Sequence, residues 1–217
     1  MNIKIPLILC ILSGLGTLLG SLLVFIPKIN KTKYKRNILL ISSSIMLLIS
    51  IFDLLPNNLL NILNNYYYKG LIISTILFIL GSITIIILEK YLTDENIYNR
   101  VGILNFISLL LHNIPEGIAT FITTLINPVI GVKLSLTIMI HNIPEGLLIM
   151  IPHSLNNKKR RGLILSFIAA IAEPIGGLLF YLILKNYINE FTINYILIYV
   201  SGLMITLAIN NISNKNL

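Results

Sequence analysis

The sequence predicts an all-α fold, a polytopic transmembrane helical bundle with seven spans. Three observations carry this. Of 217 residues, 56% are hydrophobic and only 11% charged, whereas a soluble domain of this size carries about 25% charged residues. The apolar residues come in long unbroken blocks instead of amphipathic stripes, as lipid-surrounded helices require. The basic residues gather between those blocks, where orientation signals belong. No polar stretch is long enough for a separate soluble domain, so residues 1–217 read as one transmembrane domain.

The spans follow in order at about 5–27, 37–56, 71–91, 101–126, 128–152, 162–185 and 193–212. Each approaches or exceeds the roughly 20 residues that cross a hydrocarbon core at about 1.5 Å per residue. The first resembles a signal peptide, but its apolar stretch is too long and it lacks a cleavage site, so it reads as retained. In it Gly16 and Gly20 form a G-x-x-x-G pair, while Gly176 and Gly177 sit in the sixth, and such residues let helices approach closely. Asp53 stands near the end of the second span. The fourth and fifth are joined so tightly that they read as an antiparallel hairpin. His153 falls at the basic loop after the fifth span and reads as solvated.

Orientation follows from the charges. With the N-terminus outside, the inner loops hold Lys28, Lys31, Lys33, Lys35, Arg36, Lys90, Arg100, Lys158, Lys159, Arg160, Arg161 and Lys215, which are 12 of the 16 basic residues. Lys4, Lys69, Lys133 and Lys185 lie outside. The C-terminus is then inside, and the expected location is the cell inner membrane. The net charge of +8 is an orientation signal and argues against a nucleic-acid partner. The single cysteine, Cys10, excludes a disulfide framework and a cysteine-based zinc site.

Ionisable residues at membrane depth are few: Asp53, His112, Glu116, His141, Glu145 and Glu173. Each acidic residue at a helix centre costs about 2.5–3.5 kcal/mol on insertion scales, so such residues mark functional sites. Four are supplied by one hexapeptide, HNIPEG, at 112–117 and again at 141–146. His and Glu four residues apart share one helix face. Asn113 and Asn142 add amide oxygens one residue round. Pro115 frees the carbonyl of Leu111, and Pro144 that of Ile140, a break tolerated where it lines a polar cavity. Imidazole, carboxylate and amide oxygen together suit first-row divalent ions, with zinc foremost and iron, manganese or cobalt next. A cage for calcium or magnesium would not need the histidines.

HNIPEGIATF and HNIPEGLLI resemble the paired fourth- and fifth-helix signatures of the ZIP metal transporters, in particular their bacterial zinc-uptake branch. IPLILCILSGLGTLLG is similar to that branch's first helix, MLLISIFDLLP to its second, with Asp53 where the family usually has Glu, and AAIAEPIGG to its sixth. The likeness covers about residues 5–207. It implies import of zinc and related divalent ions (iron, manganese, cobalt, cadmium) into the cytoplasm without ATP hydrolysis, by an elevator-like movement of helices. It implies two metal positions: His112, Glu116, His141 and Glu145 at one, and Asn113, Glu116, Asn142, Glu145 and Glu173 at the other, with the glutamates bridging. Asp53 would line the pathway.

The expected partners are these ions and the lipid bilayer, with a homodimer as an open alternative to the monomer; the metal is cargo, and no cofactor is expected. Two departures from the family are visible. Its seventh helix usually ends in an Asp-Glu pair where this chain has Asn210 and Asn211, and it has an eighth helix beyond the seven spans read here. The short EKYLTDENIYNR loop also lacks the histidines that some relatives carry. The alternatives are an inactive remnant of such a transporter and an intramembrane zinc hydrolase. The hydrolase would need three protein ligands and a general base, and H-E-x-x-H is absent.

Overall fold

A computed structural model describes residues 3–27, 32–187 and 190–214. Lys28, Lys31 and Lys215, which enter the orientation argument, lie outside the described residues. The helices are α1 (Lys4–Leu23), α2 (Thr32–Ile49), α3 (Leu55–Tyr91), α4 (Ile97–Ile126), α5 (Pro128–Leu155), α6 (Lys159–Leu179) and α7 (Glu190–Ser213). Among the described residues seven helical stretches are long and apolar enough to cross a membrane, as the sequence predicts. Their backbone polar groups are satisfied within the helix, which lipid demands. Buried hydroxyls follow suit: Ser43 donates to Leu39 O and Ser108 to Leu104 O, four residues back.

The second span differs from expectation. It runs over Tyr34–Asn65, well beyond residue 56, so Asp53 stands in its middle. A π-helical turn, Ser50–Leu54, joins α2 to α3 and carries Asp53. A matching π turn, Phe180–Leu184, follows α6. The helical backbone of α3 continues for 37 residues into the third span, about 55 Å if straight. Leu55 and Ser74 nevertheless line one cavity. They would stand about 28 Å apart on a straight helix, so the chain turns back between them and makes two spans from one helical run.

The helices pack as two groups. α1 lies along α5 and α6, and α4 along α6 and α5, while α3 lies along α7; α2 packs against both α5 and α7. The closest backbone approaches stay within these groups. A Cβ on Gly146 of α5 would overlap the Thr17 carbonyl of α1, and one on Gly176 of α6 would overlap the Ile114 carbonyl of α4. In the other group a Cβ on Gly202 of α7 would overlap the Phe78 carbonyl of α3. α2 with α5 and α4 with α7 are also in contact, and one buried apolar cluster, including Met46, Leu147, Leu203 and Met204, draws on α2, α5 and α7.

Polar caps hold the ends. Asn127 alone links α4 to α5, and its Oδ1 accepts from Val129 N at 3.0 Å and Ile130 N at 3.3 Å, confirming the tight hairpin. Asn96 caps α4 by accepting from Asn99 N. Asn99 in turn accepts from Arg161 at the start of α6 and donates to Asp94. The Asn99 amide, with the Asn96 N–H, holds the exposed Asp94 carboxyl below its ordinary 3.8.

His153 corrects an expectation. It is fully buried instead of solvated, because α5 continues to Leu155 and carries it under α4 and α6, where Gly102 and Gly162 leave room for its ring. Its Nδ1 pairs with Ile149 O at 2.9 Å.

Gly146→Ala should destabilise the protein by about 1–3 kcal/mol, the usual cost of overpacking. Ile79→Ala, on an exposed lipid-facing position, should change stability far less. Thermal unfolding midpoints in detergent check both. The lowered Asp94 value contributes stability above its ordinary 3.8 that is lost as pH falls through the folded value. The midpoint difference between wild type and Asp94→Asn should therefore shrink as the pH drops below that range.

Candidate metal site

The doubled hexapeptide lies inside α4 and α5, and both helices continue through Pro115 and Pro144. The kink expected from proline is thus a local loss of one hydrogen bond, not a helix end. Two further prolines act alike. Pro152 frees the carbonyl of Leu148, which accepts from the buried Asn105 amide at 2.7 Å. Pro174 frees that of Ala170, which lies against Gly14 of α1.

With α4 and α5 antiparallel, the two His/Glu faces meet. His112 Nε2 stands 3.2 Å from Glu116 Oε1 and 3.2 Å from Glu145 Oε1. His141 Nε2 is 3.0 Å from Glu116 Oε1. The rings lie 6.2 Å apart, centre to centre. His112, Glu116 and Glu145 are buried and His141 is nearly so. Ligand atoms of His112, His141 and Glu145 all fall within 4.8 Å of one another, close enough to share one ion. They line a cavity of about 30 Å³, with Asp53, Ser50, Met46 and Met204 closing the other side. That volume holds little more than one water-sized particle.

Beside this cluster lies Glu173 of α6, fully buried. It accepts from Ser13 Oγ of α1 and from Asn142 Nδ2 at 2.5 Å. Asn142 Nδ2 also donates to Ser13 O at 3.1 Å, and Asn113 Nδ2 to Ala169 O at 2.9 Å. Both amides thus spend their N–H groups on protein, and Asn113 Oδ1 and Asn142 Oδ1 remain buried without partners. So do Glu116 Oε2, Glu145 Oε2 and His112 Nδ1. Buried acceptors are normally satisfied. This many in one place form a donor set suited to a cation, with imidazole, carboxylate and amide oxygen in reach.

Every sequence-predicted site residue is therefore in one region, from three helices, α4, α5 and α6, and from Asp53 of the π turn. Sequence reasoning missed Ser13, whose only signal was a small polar residue in an apolar span. It also missed Asn105. Asn211, one of two residues that replace the family's acidic pair, is buried and donates to Asn105 Oδ1 at 3.0 Å, tying α7 to α4 outside the lining of the His/Glu cavity.

Comparison with known proteins agrees with this geometry. The family model described as ZIP zinc transporter matches residues 89–212, which hold both hexapeptides and Glu173. The chain is 30% identical to the zinc transporter ZupT of Stenotrophomonas maltophilia (strain R551-3) over 97% of its own length and 85% of the relative's. It is 32% identical to ZupT of Shigella dysenteriae serotype 1 over 96% and 85% of the two chains. It is 26% identical to ZupT of Clostridium perfringens over 97% and 86%. With the family's ligand motif doubled and brought together in a helical membrane bundle, the chain belongs to the ZIP zinc-transporter family, in its ZupT-like branch, and is a transporter, not an enzyme.

Proposed function

We propose that this protein imports zinc into the cytoplasm through the cluster of His112, Glu116, His141 and Glu145. The observation that carries the reading is the convergence of two imidazole Nε2 atoms on two carboxylates at 3.0–3.2 Å, beside five buried atoms that have no protein partner. A divalent ion drawn into that space takes lone pairs that the protein leaves unused. It also offsets the cost of keeping carboxylates in a low-dielectric bundle.

The free amide and carboxylate oxygens support a second, adjacent position. Asn113, Asn142 and Glu173 would hold an ion there, with Glu116 and Glu145 bridging to the first. Ser13 and Asn142 hold Glu173 in place. Iron, manganese, cobalt and cadmium are further candidates for transport, since an imidazole–carboxylate site selects among them mainly by geometry. Glycine-mediated backbone contacts among α1, α4, α5 and α6, and separately between α3 and α7, support an elevator-like movement of the first four helices past α3 and α7, with α2 lying against both. The charge distribution supports an outside N-terminus in the cell inner membrane.

In a zinc-uptake-deficient bacterium the wild type should raise radioactive zinc accumulation. Glu116→Ala and Glu145→Ala should each lower uptake by at least about tenfold, the loss that removing even a supporting residue of a metal site commonly causes. A correctly inserted wild type without uptake would instead identify a non-transporting bundle, and normal uptake by both variants would disprove the ligand assignment. Equilibrium zinc binding to purified protein should show two ions per chain, and one for Glu173→Gln.

A further inference from the structure

The His/Glu cluster is approached by a wide cavity on one side and covered by packed helices on the other. The cavity, of about 360 Å³, lies at the end of α4 and the starts of α5 and α7, where Thr123, Asn127 and Asn194 line it among others. On the opposite side the same three helices close together. From Met204, which lines the His/Glu cavity, α7 runs on through Leu207 and Ala208, and from Glu145 α5 runs on through Leu148 and Ile149. These four are fully buried and share one apolar cluster with Leu104 and Leu109 of α4.

Two turns into this closed side, the three helices meet in one polar chain. Asn105 lies seven residues before His112 on α4, Leu148 seven after His141 on α5, and Asn211 seven after Met204 on α7, each about 10 Å along its helix. Both asparagines are buried. Pro152 leaves the Leu148 carbonyl without its α-helical donor, and Asn105 Nδ2 donates to it at 2.7 Å. That bond fixes the amide, so Asn105 Oδ1 is the atom that accepts from Asn211 Nδ2 at 3.0 Å. A carboxylate at position 211 could not donate this bond. The chain thus links α7, which glycine packing joins to α3, with α4 and α5, which glycine packing joins to α1 and α6. Apolar contacts tolerate several registers of one helix against another. A buried amide pair tolerates one, because displacement leaves a donor and an acceptor unpaired.

We propose that Asn105 and Asn211, anchored on the Leu148 carbonyl, form a latch that keeps the side of the site opposite the wide cavity shut. The proposal rests on the import reading and goes beyond it. With α4 starting at the cytoplasmic face, the latch closes the inner side while the site stands open to the outer one. Release of the ion inward then requires Asn211 Nδ2 to leave Asn105 Oδ1. The bond from Asn105 to Leu148 O lies within the moving group and persists. Both asparagines are positioning residues, since neither lines the cavity of the His/Glu cluster.

Ser108 stands between Asn105 and His112 on the same face of α4 and is fully buried, so Ser108→Cys reports whether this side opens. Membrane vesicles carrying that variant are treated with a membrane-impermeant maleimide from either face, and the chain with Cys10 alone serves as the blank. With the latch intact, the introduced thiol should react slowly from both faces. Adding Asn211→Leu should speed its reaction from the cytoplasmic face about tenfold, the factor expected when a buried acceptor loses its donor. Asn211→Gln keeps a donating amide and should stay within about threefold of the latched rate. Combining Asn105→Leu with Asn211→Leu should add little to either alone, because the pair acts as one unit.

Unchanged labelling in both Asn211→Leu and the smaller Asn211→Ala would overturn the latch. So would effects of the two leucine variants that simply multiply, or faster labelling from the outer face only. The labelling is independent of transport. Faster cytoplasmic labelling of Asn211→Leu in a protein that moves no zinc would support the latch and overturn the import reading alone. Zinc uptake by the wild type with unchanged labelling in the variants would overturn the latch alone.

Discussion

The arrangement depends on burying carboxylates opposite imidazoles around a water-sized cavity inside the bundle. Glu116 and Glu145 face His112 and His141 in a low-dielectric bundle, where an unpaired charge is far more costly than at a surface. Mutual pairing satisfies one oxygen of each glutamate and leaves the other without a partner. The cluster is therefore stable enough to fold around and keeps the lone pairs that the proposed divalent ion would take. The surrounding helices serve to bring these four side chains to one depth and to keep lipid away from them.

Close packing makes that convergence possible. Glycines of α1, α4, α5 and α6 let backbones nearly touch, so that Gly117 meets the carbonyl of Glu173 and Gly16 that of Met139. In lipid, helix association relies on such contacts because apolar side chains gain nothing by leaving one another for lipid tails. The same closeness brings Ser13 of α1 within reach of Glu173 and Asn142. Backbone packing and ligand positioning are therefore coupled: a side chain added at Gly146 or Gly176 would shift the helices that carry the ligands. The other group, α2, α3 and α7, adds one acidic residue at the site, Asp53, from a π turn.

Much of this was legible in the residues. Long apolar blocks specify helices because the bilayer leaves no other way to satisfy a backbone, and the span count follows from block length. HNIPEG specifies chemistry because His and Glu four apart share a face whatever the surroundings. Other features were not legible because they depend on neighbours distant in sequence. Residue 153 looked solvated beside the basic stretch at 158–161, yet the extension of α5 to Leu155 and two glycines on α4 and α6 bury it. The length of the second span escaped because NNLLNILNN reads as a polar edge. Asn57, Asn58 and Asn61 line a cavity within the span instead of ending it.

By itself the sequence determined the membrane class, the helices and the doubled His/Glu motif, since each follows from local composition or spacing along one helix. Tertiary structure alone decided which oxygens remain free. Asn113 and Asn142 could have offered either end of their amides, and the carbonyls of Ala169 and Ser13 draw the N–H ends away. It likewise decided that Asp53 joins the site while Asn211 does not. The physical reason is that hydrogen-bond direction and cavity lining are set by contacts across helices, between residues as far apart as 160 positions, and helical periodicity carries no information at that range.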